Sequence, residues 1–399
     1  MIPELLIALV LGLIVGTITG LTPGIHINLI AVILISNIVI FQGFPLIIPA
    51  VFIASMAIAH TFLDFIPSVF LGAPEEDTFL SVLPGHQMLK QGLAHEAVVL
   101  TLYGSLSALL IILLFTPVFI YLIPIIFETA KLILPFILIF ISLYMIFREE
   151  KILTSLTIFL LAGFLGFAAL NLPIKQPLLP LLTGIFGSSA LILSMKAKTK
   201  ITKQKIPPLK KINPSKKEFF KATLGSIISA PLCSFLPGIG AGHAAVIGSE
   251  FIGQSKKGFL IMLGGINTIV IGLSFITLFS IGRTRTGAAV AIKEILKEIT
   301  LTDLTIIIGA IVISGILAFI IAINISKFTA KHITKINYRA LSLIVLFILL
   351  VITIIFSNLL GLLVFIIATS LGIFTILSGA RRINLMGVLL IPTILFYLI

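Results

Sequence analysis

Long apolar runs, separated by short polar or proline-bearing breaks, fill nearly the whole chain. Runs of about 18 or more such residues read as membrane-crossing helices. The first covers about Ile2–Leu21, breaks at Pro23–Gly24 and resumes to about Phe41; the next is opened by Pro45 and Pro49 and runs to about Phe65. Further segments fall at about Val98–Phe127, Leu132–Phe147, Leu153–Leu170 and Leu178–Met195. After a hydrophilic interval come Phe220–Leu236, Ala244–Ile252, Gly258–Ile281, Leu304–Ile325, Leu341–Phe356, Leu359–Leu377 and Leu385–Ile399. No series of alternating short segments points to an outer-membrane barrel. The pattern predicts an all-α polytopic membrane protein of about ten to twelve transmembrane or re-entrant helices.

One motif occurs twice inside these runs. Gly20-Leu-Thr-Pro-Gly-Ile-His-Ile-Asn28 has a counterpart in Ser234-Phe-Leu-Pro-Gly-Ile-Gly-Ala-Gly242, a little over half the chain later. Proline removes an N–H and blocks the preceding turn, and glycine permits the backbone angles of a break. A helix restarting after the break exposes unpaired N–H groups at the positive end of its dipole. Such breaks survive at membrane depth only when buried in protein or lining a wet cavity. A pair at matching places in two halves points to a transporter binding site. Two Pro-kinked packing helices are the simpler alternative.

The repeat divides the chain into a first transmembrane repeat at 1–195, a Lys/Pro-rich linker at 196–216 and a second repeat at 217–399. The linker is expected on the cytoplasmic side, as a solvated loop against lipid head groups. Counting crossings from there puts Arg148–Lys151 inside and the Lys175 loop outside. If the second half is inverted, Lys327, Lys331, Lys335, Arg339, Arg381 and Arg382 also fall inside, and the uncharged Ser357–Asn358 turn falls outside. That charge bias supports inverted-topology repeats in the cell membrane with both termini outside.

Composition narrows the chemistry. Of 399 residues, 59% are hydrophobic and 10% charged, leaving almost no soluble domain. The net charge of +13 sits in loops, so it does not imply nucleic acid. A lone cysteine, Cys233, excludes an internal disulfide and a cysteine metal site. Glu4 and no basic residue mark the first 20 positions, which are expected to be a retained helix and not a cleaved signal. No Walker A, His-Glu-x-x-His or Gly-x-Ser-x-Gly motif is present, and no cofactor is expected beyond a coupling Na+ or H+.

Ionisable groups at membrane depth are the functional candidates. Asp64, Glu75, Glu76 and Asp77 are candidate coupling-ion ligands. Substrate-binding candidates are Thr22, Pro23, Gly24, His26 and Asn28 at the first break, and Pro237, Gly238, Gly240, Gly242 and His243 at the second. Asn267, Arg283 and Arg285 join them, with the arginines set against an anionic group. His60–Thr61 matches Asn267–Thr268 in repeat position, and Gly72 matches Gly282. Thr17, Thr19 and Thr22 are expected to bond back to their own helix.

At these residues the sequence resembles the large membrane permease of the tripartite tricarboxylate transporters, the TctA-type family. The likeness rests on Gly12, Gly16 and Gly20 before Leu-Thr-Pro-Gly-Ile, and on Gly72-Ala-Pro through Pro84-Gly-His-Gln-Met-Leu-Lys-Gln-Gly92. Phe235-Leu-Pro-Gly-Ile-Gly240 and the Leu-Leu-Thr-Gly-Ile-Phe-Gly stretch of Leu181–Leu193 complete it. His26, Pro84 and the Arg283-Thr-Arg285 stretch depart from the family pattern, which leaves citrate itself open. The resemblance implies a secondary active permease, a symporter of a small carboxylate-type anion and not an enzyme. It also implies a small membrane subunit and a binding protein as partners. Two other readings stand beside it: a translocase for a polyprenyl or other lipid phosphate, and an intramembrane enzyme using His26, Asp64 and Glu75. The oligomeric state is not legible.

Overall fold

A computed structural model gives the fold and describes residues 2–22, 43, 45–72, 82–196, 202–235, 241–284, 286–335 and 338–398. The described chain is all-α. In the first half it forms α1 (Ile2–Leu21), α2 (Ile47–Leu63), α3 (Phe65–Leu71), α4 (Val82–Lys90), α5 (Ala94–Phe147), α6 (Ile152–Asn171), α7 (Leu178–Leu182) and α8 (Ser189–Lys196). A π-helical turn, Thr183–Ser188, joins α7 to α8. The second half holds α9 (Lys216–Phe235), α10 (Ala241–Ile252), α11 (Lys256–Ile281), α12 (Gly287–Leu296), α13 (Leu301–His332), α14 (Tyr338–Ser378) and α15 (Gly387–Leu398). Among the described residues seven helices are long and apolar enough to cross a membrane, and three shorter apolar ones accompany them. The chain is a multi-pass membrane protein.

Two of the longest paths exceed one crossing; one carries internal prolines and the other a turn that its sequence dictates. α5 runs 54 residues with Pro117, Pro124 and Pro135 inside it. At 1.5 Å per residue that is about 80 Å, far beyond one crossing, and its apolar stretch divides into Ala94–Phe127 and Pro135–Phe147. α14 leaves helical geometry at Asn358, at φ 58° and ψ −168°. Asn358 Oδ1 then caps the restarted helix, accepting from Leu360 N (2.9 Å) and Gly361 N (3.2 Å). This is the turn expected at Ser357–Asn358. Its Nδ2 and the Ser357 hydroxyl hold the loop before α7, donating to Pro173 O and Gln176 O.

Helix pairings recur before and after the linker, with partners exchanged. α1 lies along α2, as α9 lies along α11. α11 packs on α5 of the first half, while α2 packs on α13 of the second. Farther out, α15 lies on α6 and α14 on the α7–α8 segment. Two helical paths at the centre are therefore surrounded. Ile47–Leu71 is 89% buried over its apolar window and Lys256–Ile281 is 94% buried, against 28% for Ala94–Phe127 and 22% for Ser342–Ser378. Both central paths are apolar around most of their circumference, which is the composition of a helix enclosed by others. The outer helices turn Leu114, Tyr121, Phe140, Phe164 and Phe347 outward, an exposed apolar belt suited to lipid.

Apolar burial alone does not hold helices together in lipid, where close backbone approach supplies much of the attraction. Gly12, Gly16 and Gly20 form one stripe on α1, and a Cβ on any of them would strike the main chain of Phe52, Met56 or His60 on α2. Ala222, Ser226 and Ala230 stand in the same register on α9, all buried. There Ser226 Oγ donates across to Met262 O at 3.0 Å. On the exchanged contact, Gly104 of α5 meets the Ile261 carbonyl and Gly264 of α11 meets the Thr101 carbonyl, each with no room for a side chain. Ser105 Oγ donates to Gly264 O at 3.1 Å in the same seam.

The linker is not a loose solvated loop where it is described. Gln204 is buried; its Oε1 accepts from Ala94 N (3.0 Å) and its Nε2 donates to Leu89 O (2.9 Å). Lys205 N donates to Gly92 O at 2.8 Å and Tyr103 Oη to Leu209 O at 3.2 Å. One side chain thus satisfies backbone groups that the α4–α5 turn leaves unpaired, and it straps the linker to the first half.

Candidate functional site

The central path Ile47–Leu71 is interrupted at Asp64 because Pro67 has no N–H to give Leu63 O. Asp64 stays right-handed, at φ −62° and ψ −22°, and its N–H still reaches His60 O at 3.0 Å. The defect sits inside the enclosed path, seven residues before its end, with Asp64 only 2% exposed. There Asp64 Oδ2 accepts from Asn267 Nδ2 of α11 at 2.9 Å, and Asn267 is 1% exposed. One hydrogen bond thus joins the two central paths, one from each half. One turn earlier His60, also buried, shares a 3.1 Å hydrogen bond through Nδ1 with Thr19 Oγ1 of α1.

α1 ends beside this pair. A Cβ on Gly20 would lie 2.8 Å from His60 O and 2.9 Å from Leu63 Cβ, so α1 ends at the level of Asp64. Thr22, the last described residue there, sends its hydroxyl back to Ile18 O at 2.7 Å. Thr17 and Thr19 do the same, to Leu13 O (2.8 Å) and Gly16 O (3.1 Å). All three threonines follow the expected local bonding, and their oxygens keep acceptor capacity.

Both central paths end alike. Gly72 and Gly282 take left-handed conformations with φ 65° in each, and donate back to Pro67 O and Leu278 O respectively. Glycine is the residue that closes a helix this way without a Cβ penalty. Arg283 follows Gly282 directly. It is exposed, with its guanidinium over the Phe127 ring at 4.6 Å. Four helical turns, about 22 Å along the α11 axis, separate it from Asn267. The structure brings Asp64 and Asn267 together and leaves Arg283 at the end of the helix.

Pro23, Gly24, His26, Asn28, Glu75, Glu76, Asp77, Pro237, Gly238, Gly240 and Arg285 lie outside the described residues. For Gly242 and His243 the helical backbone of α10 is described. Among the described residues no group of His, Cys, Asp and Glu forms a metal site.

α4, between the central path and α5, carries His86. Its ring lies against Gly72, 3.4 Å from the position a Cβ would take there. Burial, helped by the positive charge of Lys90, pushes the His86 imidazole down to about 4. It is neutral at pH 7.

One buried charge escaped the reading from sequence. Arg381 and Arg382 look alike there, a basic pair at a loop. In the structure Arg381 pairs with Glu149 at the surface, whereas Arg382 is only 7% exposed. It turns inward to the π-helical turn, where Nη2 donates to Phe186 O at 2.7 Å and Ile185 O at 3.0 Å. The signal available in the sequence was Thr183-Gly-Ile-Phe-Gly-Ser188, whose glycines and small residues permit such a turn.

A multi-pass helical protein with an enclosed polar centre between two exchanged halves has the build of a membrane transporter. A family model described as the tripartite tricarboxylate transporter TctA family matches residues 6–387, and the chain belongs to that family. It is 33% identical over 405 residues to the uncharacterized protein MJ1079 of Methanocaldococcus jannaschii, covering 98% of this chain and 99% of that one. No solved structure matches the chain significantly.

Proposed function

We infer that the chain is the permease of a secondary transport system, moving a small carboxylate-type anion by alternating access. The observation that carries this reading is the Asp64–Asn267 hydrogen bond, which ties the two central paths together beside the end of α1. A buried carboxylate at the junction of two halves is where a coupling ion can act on both. Asp64 holds a proton or a sodium ion, and Asn267 reports its occupancy to the second half. Glu75, Glu76 and Asp77 are further coupling-ion candidates. The Pro-Gly breaks supply N–H donors to the anion.

The exchanged packing supports two inverted repeats, 1–195 and 217–399, rocking against each other. In this reading the linker 196–216 is cytoplasmic, both termini are outside and the membrane is the cell membrane. A small membrane subunit and a binding protein complete the system. The test is uptake of labelled citrate and shorter dicarboxylates into proteoliposomes under imposed sodium or proton gradients. Gradient-driven accumulation that is lost in Asp64→Asn, with exchange retained, supports the reading. Absence of both uptake and counterflow for every carboxylate sinks it, and binding of a polyprenyl phosphate alone would replace it with lipid translocation.

A further inference from the structure

The linker and the start of the second half border an open cavity of about 880 Å³. Its lining comes from the chain between Leu209 and Thr223, together with Tyr103 of α5. Tyr103, Ile212, Phe219 and Phe220 give it an apolar wall. Tyr103 is held by two contacts: its hydroxyl donates to Leu209 O at 3.2 Å, and its ring stacks on Phe319 of α13 with centroids 6.4 Å apart. Lys210 and Lys216, both exposed, complete the lining. A lysine covers apolar surface with its stem and keeps its ammonium in water, so these two put positive charge at the mouth of an apolar cavity.

That charge is not neutralised nearby. From Thr202 to Lys221 the chain carries seven lysines and one acid, Glu218. Glu218 accepts from Ser255 Oγ at the start of α11. None of the seven lysines forms an ion pair among the described residues. The apolar wall, for its part, continues out of the cavity. Phe220, Leu224 and Ile228 are all exposed, and their spacing of four puts them on one face of α9. They form a stripe running from the cavity along the helix, while Lys216, Lys217 and Lys221 crowd its first turns. The cavity therefore lies where α9 passes from water into hydrocarbon, the level at which tyrosine and lysine side chains anchor. A soluble anion would use the lysines and gain nothing from the aromatic wall. A neutral apolar molecule would use the wall and gain nothing from the lysines. A lipid with a charged phosphate uses both, and basic pockets between membrane helices bind such head groups.

We propose that this cavity binds an anionic membrane phospholipid: the Lys210 and Lys216 ammonium groups take the head-group phosphate, and an acyl chain lies along Phe220, Leu224 and Ile228. The lipid touches α5, the linker and α9 at once, and so fastens the start of the second half to the first. The site is separate from the Asp64–Asn267 contact and does not depend on what the protein transports. It also differs from the general attraction of a lysine-rich loop to a charged surface. In that case every linker lysine counts alike, whereas here the two that line the cavity count for more than the rest.

The experiment is native mass spectrometry of the purified full chain in detergent, titrated with phosphatidylglycerol and, separately, with phosphatidylcholine of the same acyl chains. The wild type is expected to retain phosphatidylglycerol at concentrations where phosphatidylcholine is lost. The double variant Lys210→Gln, Lys216→Gln removes the two lining charges. The control, Lys203→Gln with Lys211→Gln, removes as many charges from the same linker, outside the lining. All four side chains are exposed, so both variants are expected to fold. The lining variant is expected to bind phosphatidylglycerol about tenfold or more weakly, and the control to change by less than about threefold. Equal weakening in both variants reduces the effect to diffuse surface charge and overturns the site. Equal retention of the two lipids by the wild type, or no retention of either, overturns it as well. Glycerol 3-phosphate, which carries the phosphate without the chains, is expected not to bind; binding as tight as that of the lipid would assign the cavity to a soluble anion and overturn the lipid.

Discussion

The hydrogen bond between Asp64 and Asn267 can be weighed directly, and its strength reports the charge on Asp64. The perturbation is Asn267→Ala, combined with Asp64→Ala and the double variant in a thermodynamic cycle. Both side chains are buried and the donor–acceptor distance is 2.9 Å, so neither partner can turn to water when the other is removed. Hydrogen bonds between neutral groups across membrane helices average about 0.6 kcal/mol in such cycles. A bond to a charged acceptor contributes about 1.5–3 kcal/mol. An ionised Asp64 therefore predicts a coupling of about 1.5–3 kcal/mol, which separates cleanly from the neutral case. The assay is reversible unfolding of the four proteins by SDS titration in mixed micelles, followed by circular dichroism. A coupling near 0.6 kcal/mol would mean that Asp64 is protonated at rest, favouring H+ over Na+ as the coupling ion. A coupling indistinguishable from zero would refute the claim that this contact joins the two halves.

Other consequences are testable in the same micelles. Gly104→Leu should destabilise by about 3 kcal/mol, the upper end of overpacking, because the obstruction at Gly104 is the Ile261 main chain. Gly309→Leu on α13 is the matched control: nothing lies within 4 Å of its would-be Cβ, so the variant should be neutral or slightly stabilising. Gln204→Ala should cost about 1–3 kcal/mol by orphaning Leu89 O and Ala94 N. His86 gives a pH dependence of known sign. Its folded value of about 4 lies below the ordinary 6.5, so the unfolded chain binds the proton more readily. Stability is then full above 6.5 and falls as pH drops toward about 4. His86→Gln should flatten that limb of a melting-point profile, and an unaltered limb would assign it to other groups.

Much of the fold is legible from sequence because a membrane helix declares itself by local composition. The segments before and after Ser357–Asn358, the small-residue stripe of α1 and the matched ends at Gly72 and Gly282 all follow from residues close in the chain. The site is less legible because its contacts join distant residues. Asp64 and Asn267 stand out singly as polar groups at membrane depth, yet nothing local says that one donates to the other. Matching repeat positions suggested that Arg283 and Asn267 share a site. They lie on one continuous path, and the helical rise carries Arg283 away from the centre. Arg381 and Arg382 differ only in which way each side chain turns, and that is decided by carbonyls almost two hundred residues away, exposed by a π-helical turn. Gln204 sits in a lysine-rich stretch that reads as solvated, and its burial depends on the unpaired backbone of another segment.

The exchange of packing partners also bears on how the protein is made. The first central path emerges from the ribosome long before α13, which will cover it, and before Asn267, which will bond to Asp64. During that interval His60 and Asp64 must be sheltered by α1, by lipid head groups or by the insertion machinery. The N-terminal half is consequently an unfinished object when it first enters the bilayer. Its stability as a separate fragment should be poor, and co-expression of the two halves as separate chains should rescue it. The second half completes the fold of the first as well as its own.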